Sequence, residues 1–143
     1  MIEYCTNLDS ITANDLDGFF VGWPSHPDPQ THLRILENAY AIAVAIDTDA
    51  ERVVGFANAV SDGVLSAYIP LLEVLPDWQE RGIGTRLIET LCEQLEDLYM
   101  IDLVCDAKLE AFYEPLGFQA LTGMAKRNYE NQTGAVSRLA ART

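Results

Sequence analysis

A chain of 143 residues, 49% hydrophobic and 22% charged, has the make-up of one soluble globular domain spanning residues 1–143. Its 9 Lys+Arg against 22 Asp+Glu give a formal net charge of −13, which argues against a nucleic-acid partner and against docking on a membrane of anionic lipid, and suits a cationic substrate such as an amine. No apolar run approaches the roughly 20 residues of a membrane span, no signal-like segment opens the chain, and Cys5, Cys92 and Cys105 are odd in number and widely spaced, so the expectation is a cytoplasmic protein with buried free thiols.

Residues 2–6 alternate loosely and predict a short strand. "DSITANDLDGFF" predicts the start of a helix, with Ser10 or Thr12 as its N-cap. Gly22, Pro24, Pro27 and Pro29 require a loop. "THLRILENAY" predicts a helix from Thr31, with Leu33, Leu36 and Tyr40 near one face. "AIAVAID" and "RVVGFANAV" predict a hairpin over 41–60, turned by the polar residues 48–51. After the turn "SDG" comes "VLSAYIPLLEVL", a long strand interrupted by Pro70, which cannot donate to a ladder and so marks an edge, a bulge or a splay. Leu87, Ile88, Leu91, Leu95 and Leu98 then recur at helical spacing. "YMIDLVCD" predicts a buried strand, "KLEAFYEPLGF" a short helix closed by Pro115 and Gly117, and "FQALTGMAKRNY" a last strand. The tail, 130–143, has little apolar content and is expected to be poorly ordered. The order of elements is that of a mixed α/β layer protein.

Between the interrupted strand and the long helix stands "QERGIG". A tight glycine turn into a helix leaves backbone N–H groups unpaired at a positive dipole end, a setting suited to phosphate. Gly82 and Gly84 allow close backbone approach, and Arg81 or Arg86 can add charge. A P-loop is excluded, because Thr85 and Arg86 follow Gly84 where Lys-Ser/Thr is required. A dinucleotide fingerprint is excluded, because Leu87 holds the place of its third glycine.

Gln79-Glu80-Arg81-Gly82-Ile83-Gly84 resembles the Gln/Arg-x-x-Gly-x-Gly/Ala signature of the GCN5-related N-acetyltransferases. About thirty residues on, "AFYEPLGF" resembles the family's second mark, a Tyr shortly before Gly-Phe. The resemblance implies a central, mostly antiparallel sheet splayed after its fourth strand, helices on both faces, and acetyl-coenzyme A as co-substrate. It implies that the amides of Arg81, Gly82, Ile83, Gly84 and Thr85, with Gln79, hold the pyrophosphate. It also implies that the backbone of Leu72 and Val74 pairs with the pantetheine arm, Leu72 N–H lying near the thioester carbonyl.

By the same resemblance Tyr113 matches the tyrosine that protonates the departing thiolate. The bland alternative is a ring packed between helix and sheet. Glu73, a carboxylate in an apolar strand, is the first candidate for general base; an exposed edge position would explain it as well. Tyr68 stands where some relatives carry a base glutamate, and Asp102 is a further candidate. Asp106 replaces an Asn that relatives keep against the pantetheine arm. The acceptor, a small-molecule amine or a peptide N-terminus, is expected beside Phe19, Phe20, Trp23, His26 and His32, which otherwise read as core. The two histidines lack ligand partners, so no metal is expected. The resemblance leaves room for a homodimer. The competing reading is a non-catalytic acyl-coenzyme A binding or sensing domain of the same fold.

Overall fold

The computed structural model describes residues 1–135; residues 136–143, the larger part of the tail expected to be poorly ordered, lie outside the described residues. The architecture is a mixed α/β layer protein built on one five-stranded sheet in the order β1-β2-β3-β4-β5. The strands are β1 (Ile2–Cys5), β2 (Ala41–Asp47), β3 (Arg52–Ser61), β4 (Ser66–Val74) and β5 (Met100–Leu103). Pairings from β1 to β4 are antiparallel, and β4 pairs β5 in parallel. The helices are α1 (Pro29–Glu37), α2 (Ile83–Glu93) and the single-turn α3 (Glu110–Tyr113).

Helix α1 starts two residues before Thr31 because Asp28 caps it, accepting from the Thr31 amide at 2.8 Å, with Pro29 set in the first turn. It stops before Tyr40, which is exposed instead of lying on the helix face. The helix predicted from "DSITANDLDGFF" shrinks to a 3₁₀ turn, Ala13–Leu16, capped by Thr12 and Asp15. Gly18 and Gly22, at φ +88° and +86°, take left-handed backbone and end any continuation.

The sheet buries both faces, as the unbroken apolar run of β2 requires. One face carries Ile42, Val44 and Phe56 against Leu16, Phe19, Phe20 and Leu36. The other carries Ala43, Val54 and Ala57 against Leu87, Ile88 and Leu91 of α2, with Tyr113 of α3. At roughly 1.5–3 kcal/mol for each fully buried large apolar side chain, these two layers are the main stabilising term. The cysteines are free but only half-buried: Cys5 ends the edge strand β1, Cys105 lies two residues past β5 and Cys92 is near the end of α2. The last predicted strand does not form: residues 118–128 have no strand partner among the described residues.

Candidate functional site

The β4–β5 register covers only Ser66 to Met100, Ala67 to Ile101, Tyr68 to Asp102 and Ile69 to Leu103. Pro70 follows, and β4 continues alone beside β3, pairing Leu72 with Ala57 and Val74 with Gly55. The sheet is therefore forked, one of the three outcomes that Pro70 left open. Which groups face the fork follows from the ladder. Leu75 N–H donates to Val54 C=O at 2.8 Å. Antiparallel pairs alternate, so Glu73 and Leu71 turn their backbone to β3, while Leu72 and Val74 turn theirs into the fork.

Gln79 closes one end of this opening: its side-chain amide donates to Val74 C=O at 3.0 Å. That occupies one lone pair of the Val74 carbonyl and leaves the Leu72 N–H and C=O facing the fork. The turn from 79 to 82 carries two left-handed residues, Glu80 at φ +62° and Gly82 at φ +80°. Gly82 is the N-cap of α2 and supplies no side-chain cap, so the first amides of that helix depend on an outside acceptor. A Cβ added at Gly82 would meet nothing within 4 Å, so the turn opens to solvent.

Gly84 lies against α3. A Cβ there would stand 3.4 Å from the Phe112 ring and 3.9 Å from Val74 Cγ2. α3 thus seats against the start of α2, which brings the two motifs together. Ile83 is buried, Arg81 is exposed and Thr85 is half-buried. Arg86 is turned to β1, its guanidinium 5.8 Å from the centre of the Tyr4 ring, which leaves Arg81 as the arginine of the turn.

Tyr113 is 9% exposed and meets Phe112 and Phe118 edge-on, at 4.8 and 5.7 Å between centroids. Burial first, then the neighbouring Cys105, pushes its phenol up to about 12, so it stays protonated at neutral pH. It shares one apolar cluster with Leu72, Val74 and Ile83. Asp106 is exposed and precedes the 3₁₀ turn Ala107–Leu109, and Asp102 is exposed on β5.

Glu73 lies across β4 from these groups, opposite Phe56. Its carboxylate accepts the Phe20 amide at 2.8 Å and the Val21 amide at 3.2 Å. Phe20 sits at φ +63°, a left-handed conformation that costs a bulky residue ~1–3 kcal/mol and persists only when its surroundings impose it. Sequence reasoning missed this link. Of the five residues expected beside the acceptor, Phe19, Phe20 and His32 are core, while Trp23 and His26 are exposed. A cavity of ≈ 310 Å³ at the fork is lined by Val21, Trp23, Leu72, Glu73, Val74, Pro76 and Gln79. Val21 and Trp23 also line a second cavity, of ≈ 380 Å³, under the Gly18–Pro29 loop, so the two openings share a rim. Among the described residues no group of three metal-ligating side chains converges.

Residues 8–118 match the acetyltransferase (GNAT) family. Histone acetyltransferase TAP1 of Glycine max is 33% identical over 111 residues, 70% of this chain and 48% of the relative. A chloroplastic GCN5-related N-acetyltransferase 2 of Arabidopsis thaliana is 31% identical over 132 residues, 77% of this chain and 51% of the relative. The chain thus spans about half the length of these curated relatives. A crystal structure from Deinococcus radiodurans, described as an acetyltransferase, superposes with a TM-score of 0.91 at 44% identity, covering 95% of this chain and 94% of that one. An aminoglycoside N-acetyltransferase solved with CoA shares the fold at 18% identity and a TM-score of 0.66, over 90% of this chain and 94% of that one.

Proposed function

This chain belongs to the GNAT acetyltransferase family, and we propose that it transfers an acetyl group from acetyl-coenzyme A to a primary amine by direct attack. The observation that carries the reading is the fork beside an uncapped glycine turn: backbone of Leu72 and Val74 without a β5 partner, next to a solvent-open helix N-terminus at Gly82. One element offers hydrogen bonds to an extended amide-bearing arm, and the other offers amides to a pyrophosphate.

In this reading Arg81, Gly82, Ile83, Gly84 and Thr85 hold the pyrophosphate and Gln79 keeps the end of β4 in place. The thioester supplies an activated acyl group. Leu72 N–H faces the fork and stabilises negative charge on the acyl oxygen. Tyr113, protonated at neutral pH, gives its proton to the sulfur as the C–S bond breaks. Glu73 takes the proton of the attacking ammonium; each of its oxygens holds one backbone amide and keeps a lone pair for that task. Asp106 faces the arm as a changed contact. Trp23 and Val21 border the acceptor opening.

The test is thiol release from acetyl-coenzyme A across a panel of small amines and peptide N-termini. Amine-dependent release is expected. Tight cofactor binding with no release from any acceptor would favour the second reading, a non-catalytic acyl-coenzyme A binding domain. One observation favours that reading: both Glu73 oxygens already serve the Phe20–Val21 backbone.

A further inference from the structure

The fork cavity of ≈ 310 Å³ and the cavity of ≈ 380 Å³ under the Gly18–Pro29 loop share two lining residues, Val21 and Trp23. These belong to one short strap whose backbone is held in place. Gly18 and Gly22 flank it in left-handed conformations, and between them Phe20 sits at φ +63°. The Phe20 and Val21 amides donate to the Glu73 carboxylate, and the Phe20 ring packs on His32 and Phe56, at 5.0 and 6.2 Å between centroids. Backbone of this kind persists only where its surroundings impose it, which points to a shape the site requires.

The strap presents apolar surface to solvent. Val21 is 59% exposed and Trp23 37%, and the Trp23 ring is steadied by Phe20 at 4.9 Å. An apolar bridge therefore stands between the fork and the space under the loop.

Charge restricts what can cross it. Glu73 lines the fork cavity, and Asp17 and His26 line the other. Among the described residues no lysine or arginine lines either cavity. The Arg52 guanidinium donates to the Asp17 carbonyl and lies 5.8 Å over the Trp78 ring, outside both linings. In a chain of net charge −13, an anionic group beneath the loop would meet Asp17 with no lining cation to offset it.

We infer that the two cavities are one acceptor channel and that its occupant is an elongated primary amine with no anionic group. The amine lies at Glu73 in the fork, an alkyl or arylalkyl stem crosses Val21 and Trp23, and a neutral or cationic far end rests under the Gly18–Pro29 loop. Val21 and Trp23 then select by chain length, and Asp17 selects by charge. The inference rests on the acetyl-transfer reading only for placing the amine at Glu73.

The experiment is a nuclear magnetic resonance titration of the full chain, with and without coenzyme A, following the Trp23 indole N–H. The probes are propylamine, butylamine, pentylamine, hexylamine and 6-aminohexanoate. Affinity should rise about threefold for each methylene added from propylamine to hexylamine, as burial of the stem requires. In Trp23→Ala, followed on backbone amides of the strap, that rise should flatten, with hexylamine losing roughly tenfold. In the wild type 6-aminohexanoate should bind roughly tenfold more weakly than hexylamine, and Asp17→Asn should recover part of that difference without changing hexylamine. An affinity independent of chain length overturns the inference. So does 6-aminohexanoate binding as tightly as hexylamine, or a length dependence that survives Trp23→Ala. Thiol release from acetyl-coenzyme A, measured on the same amines, is read apart from these affinities. The length series without release supports the channel and overturns acetyl transfer, and release without the series does the reverse.

Discussion

The Glu73 carboxylate holds the Phe20 amide at 2.8 Å across 53 residues of sequence, joining the forked strand to a loop whose backbone is otherwise unfavourable. Glu73→Gln keeps one acceptor oxygen and turns an NH₂ toward a backbone N–H. It should cost about 1–3 kcal/mol in denaturant unfolding. Turnover should fall most near pH 7, and the deficit should shrink toward pH ~9.5, where amines of ordinary pKa lose their proton unaided. A deficit constant across that range assigns Glu73 to holding the loop alone.

The two glycines of the turn should fail in different ways. Gly82→Val places a side chain in open space at φ +80°, so the fold bears a strain of about 1–2 kcal/mol while affinity for acetyl-coenzyme A collapses. Gly84→Val drives methyl groups into Phe112 and should lower stability by about 1–3 kcal/mol, with part of the loss restored by Phe112→Leu. Calorimetric titration beside thermal melts separates the two. Equal cofactor affinity in Gly82→Val and wild type would remove the turn from the binding site.

Tyr113→Phe removes only the hydroxyl. Turnover should drop by roughly 10² or more with cofactor affinity nearly unchanged. The raised phenol also has a stability signature. The unfolded chain ionises its tyrosine near pH 10 while the folded chain holds the proton to about 12, so wild-type stability falls as pH rises across that window. Tyr113→Phe should lose that part of the decline. Unchanged turnover would leave the ring as packing.

His32 gives the opposite slope. It is 1% exposed among Phe19, Phe20 and Phe56, both ring nitrogens lack partners, and burial lowers its pKa to about 4. The unfolded chain takes up its proton near pH 6.5 and the folded chain does not, so stability falls as pH drops below that value. Between pH 6.5 and 5 the loss should be about 2 kcal/mol. His32→Leu, measured by urea unfolding, should flatten that slope. A slope as steep as in wild type would place its origin elsewhere.

The strands β2, β3 and β4 and helix α2 were legible because local signals agree: apolar runs or helical spacing, bounded by Gly, Pro and Asp. Pro70 announced the fork, since a residue without an N–H cannot extend a ladder. The last strand misled because "FQALTGMAKRNY" has strand composition yet pairs with no strand among the described residues. The first helix misled because Gly18 and Gly22 take left-handed backbone that periodicity does not register. At the site, the glycine turn was legible as a local feature. The link from Glu73 to Phe20 and the seat of Phe112 on Gly84 were not, because each partner is remote in sequence and carries no mark of its counterpart.

Sheet order equal to chain order also sets how the protein is built. The β2–β3 hairpin closes across residues 48–51, β4 joins its immediate predecessor, and α2 carries the chain over to β5. β1 waits for a distant partner, pairing Ile2 with Asp47, and β5 reaches β4 across α2, pairing Met100 with Ser66. The short connections among β2, β3 and β4 are closed early at little entropic cost. The fork is then completed by a single segment, β4 to α3, and forms as a local event within one stretch of nascent chain, with β1 adding to a sheet already in place.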